Sequence, residues 1–307
     1  MNHVLSEILD KNEKIMKIKN YYEYEKLEAY NFDCKFFNEC SNSNKSLNLV
    51  KQYSGGVCGI MPFFDTNFLD NNIRVLIIGK ETGYMQNEKY GVSKDYNDNF
   101  NKLIKCINWT KKNNHMKGTH DTLKYIFDMD SEYILANYAL TNLLRCSFQE
   151  KNIANNVSNT RNSKKMNSNC MTHLLKEINI LEPTLIISQG EWAIKNQYLK
   201  SELELYYNEK SKIIMETIPG KYGLYKYSNF FLLTTHHPAI YGNWKKNLAP
   251  ITLWPCLDYL KNEKILPKYT LDQKLNFEKN AKKILDPILN SLPSNDKLRS
   301  KIEPKLF

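Results

Sequence analysis

The chain has 307 residues, which is enough for one large hydrophobic core or for one core with a modest extension. Hydrophobic residues make up 42% of it, and no apolar run approaches the roughly 20 residues that a membrane-spanning helix requires, so we expect no membrane partner. With 43 Lys and Arg residues against 33 Asp and Glu residues, the net charge of +10 favours a polyanionic partner, unless the lysines serve only solubility.

The N-terminal stretch MNHVLSEILDKNEKIMKIKN lacks the continuous apolar core of a secretory signal peptide. We therefore expect a cytoplasmic protein, in which the seven cysteines would act as metal ligands or as a catalytic thiol rather than form disulfides. We also expect a single domain, consisting of an N-terminal helical extension, a cysteine-bearing loop segment, a core and a helical tail, at residues 1–30, 31–72, 73–260 and 261–307.

Four apolar runs are short, rich in β-branched or aromatic residues, and separated by stretches long enough for a helix. They are RVLIIG (74–79), YALTNLL (138–144), TLIISQG (184–190) and FFLLTTH (230–236). This spacing predicts an α/β domain with a mainly parallel central sheet. In such sheets, ligands bind at the carboxyl ends of the strands.

The segments between these runs differ in composition. SFQEKNIANNVSNTRNSKKMNSNC (147–170) is long, polar and basic, and its composition alone predicts a loop. Gly220 and Gly223 lie among tyrosines before the last run, which predicts a hairpin there. The tail to Phe307 alternates Lys with Leu and Ile, and we predict that it is helical.

Three of the predicted strands end in chemically capable residues, which we expect to converge on one cleft: Gly79 to Gly83, Thr141 with Asn142, and His236 to Pro238. The glycines around Glu81 do not form a phosphate-binding loop, because neither G-x-G-x-x-G nor a G-K-[ST] ending is present. A carboxylate just past a buried strand instead suits a substrate that becomes cationic as it reacts. Glycosidic cleavage has such a transition state.

Four elements in the correct order carry a resemblance to a known family. They are GKETG (79–83), LTNLLRC (140–146), Cys170 followed by EPTLIISQGEWA (182–193), and PGKYGLYKYSNFFLLTTHHPA (219–239). Over about residues 74–260 the chain resembles the uracil-DNA glycosylase superfamily, nearest to its iron–sulfur branch. The resemblance implies a three-layer α/β/α fold with a mainly parallel, four-stranded central sheet. It also implies DNA as the partner, and we expect a monomer.

The resemblance implies roles for residues at the motif positions. Glu81 would activate a water or stabilise the sugar cation, and His237 would stabilise negative charge on the departing base. Asn142 would hydrogen-bond the edge of a flipped-out base, because an amide offers both a donor and an acceptor. The remaining base-binding candidates are Gly79, Gly83 and Tyr90, with Tyr84, Tyr96 or Phe100 as alternatives to Tyr90. Only one histidine of the pair can occupy the family position, so His236 is expected to be structural.

The first motif departs from the family pattern. Lys80 stands where the iron–sulfur branch has glutamate, and it could contact a phosphate or, less in keeping with a monofunctional superfamily, attack the sugar as an amine. Thr82 replaces a proline, and Gly83 stands where strict uracil enzymes have a tyrosine that blocks C5 substituents. Together with the tyrosine-rich hairpin, these changes lead to the hypothesis that the pocket is remodelled to accept a C5-modified cytosine, as found in some phage genomes. Excision of such bases would give the protein an antiviral role.

The superfamily loop after the histidine enters the minor groove and pushes the base out. Ile240 or Tyr241 would then be the wedge, and Lys245 and Lys246 would contact phosphates. The alternative is an ordinary solvated loop.

The iron–sulfur branch binds a [4Fe–4S] cluster through four cysteines, which implies Cys34, Cys40, Cys146 and Cys170 here. Cys34 and Cys40 depart from the expected C-x-x-C spacing, so Cys58 is a candidate to replace one of them. The cysteines could instead be buried small hydrophobic residues.

Two other functions compete with a monofunctional DNA glycosylase. One is a catalytically inactive iron–sulfur protein that binds nucleic acid, in which Lys80 and Thr82 mark a decayed site. The other is an unrelated nucleotide-binding α/β protein, which the missing phosphate loop disfavours.

Overall fold

The computed structural model of the protein describes residues 13–27, 33–43, 47–51, 73–79, 114–130, 134, 138–144, 146–150, 164–190, 197–238, 241–279 and 282. The strands are β1 Leu47–Lys51, β2 Val75–Gly79, β3 Tyr138–Asn142, β4 Cys146–Glu150, β5 Leu185–Gln189, β6 Lys212–Ile218, β7 Tyr222–Lys226 and β8 Phe231–Thr235. The helices are α1 Glu13–Tyr24, α2 Phe37–Asn42, α3 Asn114–Phe127, α4 Lys164–Leu181, α5 Tyr198–Tyr207, α6 Tyr241–Asn243, α7 Ala249–Thr252, α8 Trp254–Asn262 and α9 271–279, with a π-helical turn at Trp244–Leu248.

The central sheet has the strand order β3-β2-β5-β8-β7-β6, and its first four strands are parallel. These four strands are the four predicted apolar runs. Every residue of β2, β3 and β5 is buried, so both faces of these strands are covered, as in a sheet with helices on each side. The predicted α/β fold with a mainly parallel core is therefore confirmed.

The predicted number of four strands is wrong, because the hairpin joins the same sheet. Strand β7 pairs antiparallel with β8, and β6 pairs antiparallel with β7. The first four residues of β7 are buried, since this strand has a neighbour on each side, whereas β6 is partly exposed along the edge. Gly220 lies in the turn with φ 66°, a conformation that favours glycine.

The tyrosines of the hairpin belong to the core. Tyr222, Tyr225 and Tyr227 are among the largest fully or almost fully buried side chains of the described residues. The Tyr227 hydroxyl donates to the Lys200 carbonyl oxygen at 3.2 Å. These three rings pack into the protein interior, so much of the hairpin's tyrosine content serves the core; a remodelled substrate pocket stays a prediction.

The two described ends of the polar segment after β3 have regular secondary structure, although its composition predicted a loop. Strand β4 pairs antiparallel with β1, and helix α4 begins at Lys164, so Cys170 lies inside this helix rather than at its start. Sequence analysis placed the start of this helix at Cys170 and missed its first turns, because Asn, Ser and Lys dominate them. Its buried side chains nevertheless recur at helical spacing, at Met166, Cys170, Met171, Leu174, Leu175, Ile178 and Leu181.

A buried polar network attaches α1 to the core. The Glu177 carboxylate of α4 is fully buried and accepts hydrogen bonds from the Tyr22 hydroxyl and, at 2.7 Å, from the Thr141 hydroxyl. One helical turn away, the Nδ1 atom of His173 lies 2.7 Å from the Tyr21 hydroxyl. Because a buried carboxylate is costly without donors, these hydroxyls are needed to keep Glu177 inside the protein.

The two terminal segments that we predicted to be helical contain α1 and α9. Within the described parts of the chain, no helix is both long enough and apolar enough to cross a membrane.

The network predicts that Tyr22→Phe will lower the free energy of unfolding by about 1–3 kcal/mol, because Glu177 loses one hydroxyl donor while the ring remains. Urea denaturation followed by circular dichroism measures the change. Tyr24→Phe is the matched control, since Tyr24 lies on the same helix and is 84% exposed. Equal stabilities of the two variants would show that the Tyr22 hydroxyl contributes nothing.

Candidate active site

The carboxyl ends of β2 and β3 bring Gly79 and Asn142 together. They are register partners in the parallel pair, and Asn142 is buried. A Cβ atom at Gly79 would lie only 2.5 Å from Asn142 Oδ1, so the amide occupies the space where a side chain of residue 79 would be. Glycine is required at this strand end because the Asn142 amide approaches the backbone so closely.

His237 follows β8 and packs against a second histidine. The rings of His237 and His115 are stacked, with centroids 4.7 Å apart and planes inclined by 29°. His115 is the second residue of α3, and its Nε2 atom lies 2.5 Å from Oε1 of Gln189, the last residue of β5. Four strand ends and the start of one helix therefore converge at this edge of the sheet.

His115 also lies close to Gly79 and Asn142. A Cβ atom built on Gly79 would lie 3.8 Å from the Cε1 atom of His115. The Asn142 amide oxygen approaches the same Cβ position. The imidazole of His115 thus has His237 on one side and the ends of β2 and β3 on another. Asn142 and His237, two residues predicted for the site, are brought together through a residue that was not predicted.

Burial makes both histidines difficult to protonate. Burial, with a smaller contribution from the neighbouring His115, lowers the pKa of His237 to about 3. Burial lowers the pKa of His115 as well, although its hydrogen bond with Gln189 opposes that effect. Both imidazoles are therefore neutral near pH 7, and each can donate one hydrogen bond and accept one.

The adjacent His236 has a separate environment. Its Nδ1 atom lies 2.9 Å from the Tyr222 hydroxyl, and the two rings are 4.1 Å apart. The Trp244 indole donates to the His236 carbonyl oxygen at 3.2 Å. These contacts attach His236 to β7 and to the π-helical turn, whereas its neighbour His237 stacks on His115.

Helix α6 and the π-helical turn, which follow His237 in the chain, are held against α3. The Tyr241 hydroxyl donates to the Asp121 carboxylate, and Lys245 Nζ lies 3.0 Å from Asp121 Oδ2. The ammonium groups of Lys245 and Lys117 each lie 5.7 Å from the centre of the Tyr241 ring. Tyr241 and Lys245 thus contact the protein itself, while Lys246 is exposed.

Several predicted site residues lie outside the described residues: Lys80, Glu81, Thr82, Gly83, Tyr90, Ile240 and Cys58. The described part of the first motif ends at Gly79, the residue directly before Lys80.

Three of the four predicted cluster cysteines lie where α2 packs against α4. Cys40 and Cys170 are buried, and Cys34 is half-buried with its Sγ 3.5 Å from His173 Nε2. The Asn169 amide donates to Cys40 Sγ at 3.5 Å. Burial, with smaller contributions from the nearby Cys170 and Cys40, raises the pKa of Cys34 to about 11, so these thiols share one region.

The donor set agrees in chemistry with an iron–sulfur cluster, since three thiols occupy a buried region with few competing ligands. Cys146, the fourth, is the first residue of β4 and pairs with Lys51 of β1. Considering only side chains that the structure describes, no group of three or more His, Cys, Asp or Glu residues is arranged to hold a metal ion.

The sequence profile of the Uracil DNA glycosylase superfamily matches residues 66–261, well over half of the chain. The chain belongs to the uracil DNA glycosylase superfamily. The resemblance to the superfamily that the motifs indicated is thereby confirmed, while its iron–sulfur branch stays a prediction. The match includes the strand-end site with Gly79, His115, Asn142, Gln189 and His237, whereas α1 and α2 precede it. A search of the curated proteins gives no match.

Sequence analysis missed His115 and Gln189. Gln189 was detectable, because TLIISQG is a predicted parallel strand with a polar residue at its carboxyl end, like the other three. His115 stands in NNHMKGTH, which follows no strand and carries no motif. Its role becomes visible only when α3 is packed against the loop after β8.

The lowered pKa of His237 predicts a specific dependence of stability on pH. Between about pH 3 and pH 6.5 the unfolded chain binds a proton at His237 that the folded protein does not, so the free energy of unfolding falls as the pH falls. Urea denaturation at pH 7 and pH 5 measures this loss, which should be smaller in His237→Gln. An identical loss in the variant would contradict the lowered pKa.

Proposed function

We propose that the protein is a monofunctional DNA glycosylase that hydrolyses the N-glycosidic bond of a flipped-out pyrimidine and leaves an abasic site. The main support is the neutral His237 close to the buried Asn142 at the carboxyl edge of the sheet, within the region that matches the superfamily. A ligand in this position contacts groups that are held by four neighbouring strands.

The chemistry requires groups of two kinds, because the bond breaks with negative charge on the base and positive charge on the sugar. A neutral imidazole can donate an N–H hydrogen bond to the departing base. In a site with little water, such a preorganised donor is strongly stabilising where charge develops. His237 has the required properties, since its low pKa keeps it neutral and its ring is packed against His115.

Asn142 is suited to bind the edge of the flipped-out base. Its amide lies over the backbone of Gly79, where it is buried and has little freedom to rotate. An amide offers a donor and an acceptor side by side, and both are needed to bind the Watson–Crick edge of a pyrimidine. A buried amide left unpaired by the wrong base disfavours that base.

Glu81 is proposed to be the catalytic carboxylate. It follows Gly79 by two residues in the sequence, and β2 ends with Gly79 at the edge where Asn142 and His237 lie. A carboxylate there would stabilise the oxocarbenium-like sugar or activate the attacking water. Lys80, its neighbour, would contact a phosphate of the DNA backbone.

The proposed substrate is a C5-modified cytosine, such as hydroxymethylcytosine or its glucosylated form in phage DNA, with uracil as the simpler alternative. The support is Gly83, which places no side chain where a tyrosine would block the C5 position. Excision of such bases would give the protein a role in antiviral defence.

The loop after His237 is proposed to contact the DNA backbone and to open the base pair. Because the Tyr241 hydroxyl is bound to Asp121, Ile240 is the better candidate for the wedge between bases. Lys246 is exposed, and Lys245 could exchange its contact with Asp121 for one with a phosphate. The net charge of +10 supports binding to a polyanion.

A panel of oligonucleotides containing uracil, cytosine, hydroxymethylcytosine or glucosylated hydroxymethylcytosine tests the reaction. We expect alkali-labile abasic sites at the modified cytosines. His237→Ala should slow base release by about 10²–10³-fold, because a preorganised donor is lost. Glu81→Gln should also slow it, whereas the control Glu263→Gln, at an exposed position after α8, should not.

Each result has a distinct meaning. Release of uracil alone would overturn the modified-cytosine substrate and retain the glycosylase. Binding of DNA without release of any base would overturn the enzyme and support an inactive nucleic-acid-binding protein. Unchanged activity in Glu81→Gln would exclude Glu81 as the catalytic carboxylate.

We also propose that Cys34, Cys40, Cys146 and Cys170 hold a [4Fe–4S] cluster, with Cys58 as a substitute for one of the first two. The support is the common location of three of these thiols between α2 and α4. In this position a cluster would link the segment before β1 to α4. Its contribution would be to structure, since nothing in the proposed hydrolysis requires electron transfer.

Iron and acid-labile sulfide in the anaerobically purified protein, together with absorbance in the visible range, test for the cluster. We expect all three in the unmodified protein and their loss in Cys170→Ala. Cys256→Ala is the matched control, because Cys256 is a buried free thiol of α8 outside the proposed set. Protein without iron or sulfide, or equal loss in both variants, would overturn the proposal.

A further inference from the structure

His115 has no role in the reaction as proposed above, although it contacts the residue that carries the main role. It lies outside the four motifs, on a helix whose start is brought to the edge of the sheet. We propose that His115 is a positioning residue that fixes the plane of the His237 imidazole, and that Gln189 in turn fixes His115. This inference rests on the proposed function, in which His237 donates to the departing base.

The first step of the argument is that His115 is itself held in place. Its Nε2–H donates to the Gln189 amide oxygen, with 2.5 Å between the two heavy atoms. Gln189 is almost fully buried and is the register partner of Thr235 in the parallel pair of β5 and β8. The adjacent Gly190 N–H also donates to the Thr235 carbonyl oxygen at 2.8 Å. The group that holds His115 is therefore part of the sheet.

The second step is that the same pair of strands carries His237. Thr235 ends β8, and His237 follows it by two residues. The path from the His237 ring through His115 to Gln189 thus begins and ends on two hydrogen-bonded strands. Such a closed arrangement leaves little freedom for the stacked rings to move relative to the sheet.

A third contact holds α3 against the loop that contains His237. A Cβ atom at Gly118 would lie 2.4 Å from Cβ of Pro238, so the helix approaches this loop more closely than any other residue would allow. His115 and Gly118 are three residues apart and therefore lie on one face of the helix. His115 contacts His237 and Gly118 contacts Pro238. These two contacts fix the position of His115 relative to the loop.

Stacking matters because a hydrogen bond to a leaving group depends on direction. An imidazole on a loop can rotate about two side-chain bonds, and rotation would move its N–H away from the base. With the planes of the two rings only 29° apart, His115 restricts that rotation. A second neutral imidazole also disfavours a proton on His237, in agreement with its low pKa.

The experiment compares His115→Ala, which removes both contacts, with His115→Phe, which keeps a flat ring but cannot donate to Gln189. Single-turnover base release should slow by about 10- to 100-fold in His115→Ala and less in His115→Phe, with the DNA dissociation constant unchanged. Lys124→Ala is the control on the last turn of the same helix.

A second measurement does not depend on activity. In ¹⁵N-histidine NMR spectra of the DNA-free protein, His237 should show one neutral tautomer. In His115→Ala its ring nitrogens should shift toward averaged values, and its pKa should rise toward the ordinary histidine value. Circular dichroism confirms that each variant is folded, so that a local change at His237 is distinguished from loss of the fold.

Two results would overturn the inference. One is base release within about twofold of the unmodified protein together with unchanged His237 resonances in His115→Ala. The other is a weaker DNA affinity with an unchanged rate, because His115 would then bind DNA directly. If the unmodified protein releases no base, the proposed function fails, while the NMR measurement still decides whether His115 positions His237.

Discussion

The in-register parallel pairing of β2, β3, β5 and β8 is the constraint on which the candidate site depends. Their last residues lie at one level, so backbone hydrogen bonds bring Gly79, Asn142, Gln189 and His237 to one edge. Since β2, β3 and β5 are buried on both faces, each strand is held by the core as well as by its neighbours. The positions of these site residues are therefore set by the sheet, which is the most stable part of the fold. The loops add the remaining residues of the site.

Much of this arrangement could be predicted from the sequence, because parallel strands covered on both faces are continuous apolar runs bounded by polar residues. The positions of all four runs and of the hairpin were predicted, as were Asn142 and His237 as candidates for one site. The pairing of the hairpin with β8 was not predicted, because composition does not reveal which strand an antiparallel strand pairs with. The start of α4 was missed because Asn, Ser and Lys concealed its periodicity, and β4 was missed because it is short and mostly polar.

The unpredicted residues of the site depend on tertiary contacts. His115 belongs to a helix whose sequence gives no indication that its first turn meets the loop after β8. The close approach of Gly118 to Pro238, which allows this contact, is visible only in three dimensions. The packing of His115 against His237 has an electrostatic effect as well as a steric one. In a protein with a net charge of +10, the two stacked histidines remain neutral through burial. In the proposed reaction, these residues would therefore offer polar groups without adding positive charge, which would disfavour a cationic sugar.

The buried carboxylate of Glu177 has a consequence for the history of the chain. Helix α1 precedes the region shared with the superfamily, yet its Tyr21 and Tyr22 contact His173 and Glu177 within that region. A relative without α1 would leave this carboxylate short of a donor inside the protein. We therefore expect residues at positions 173 and 177 to covary with the presence of the N-terminal helix.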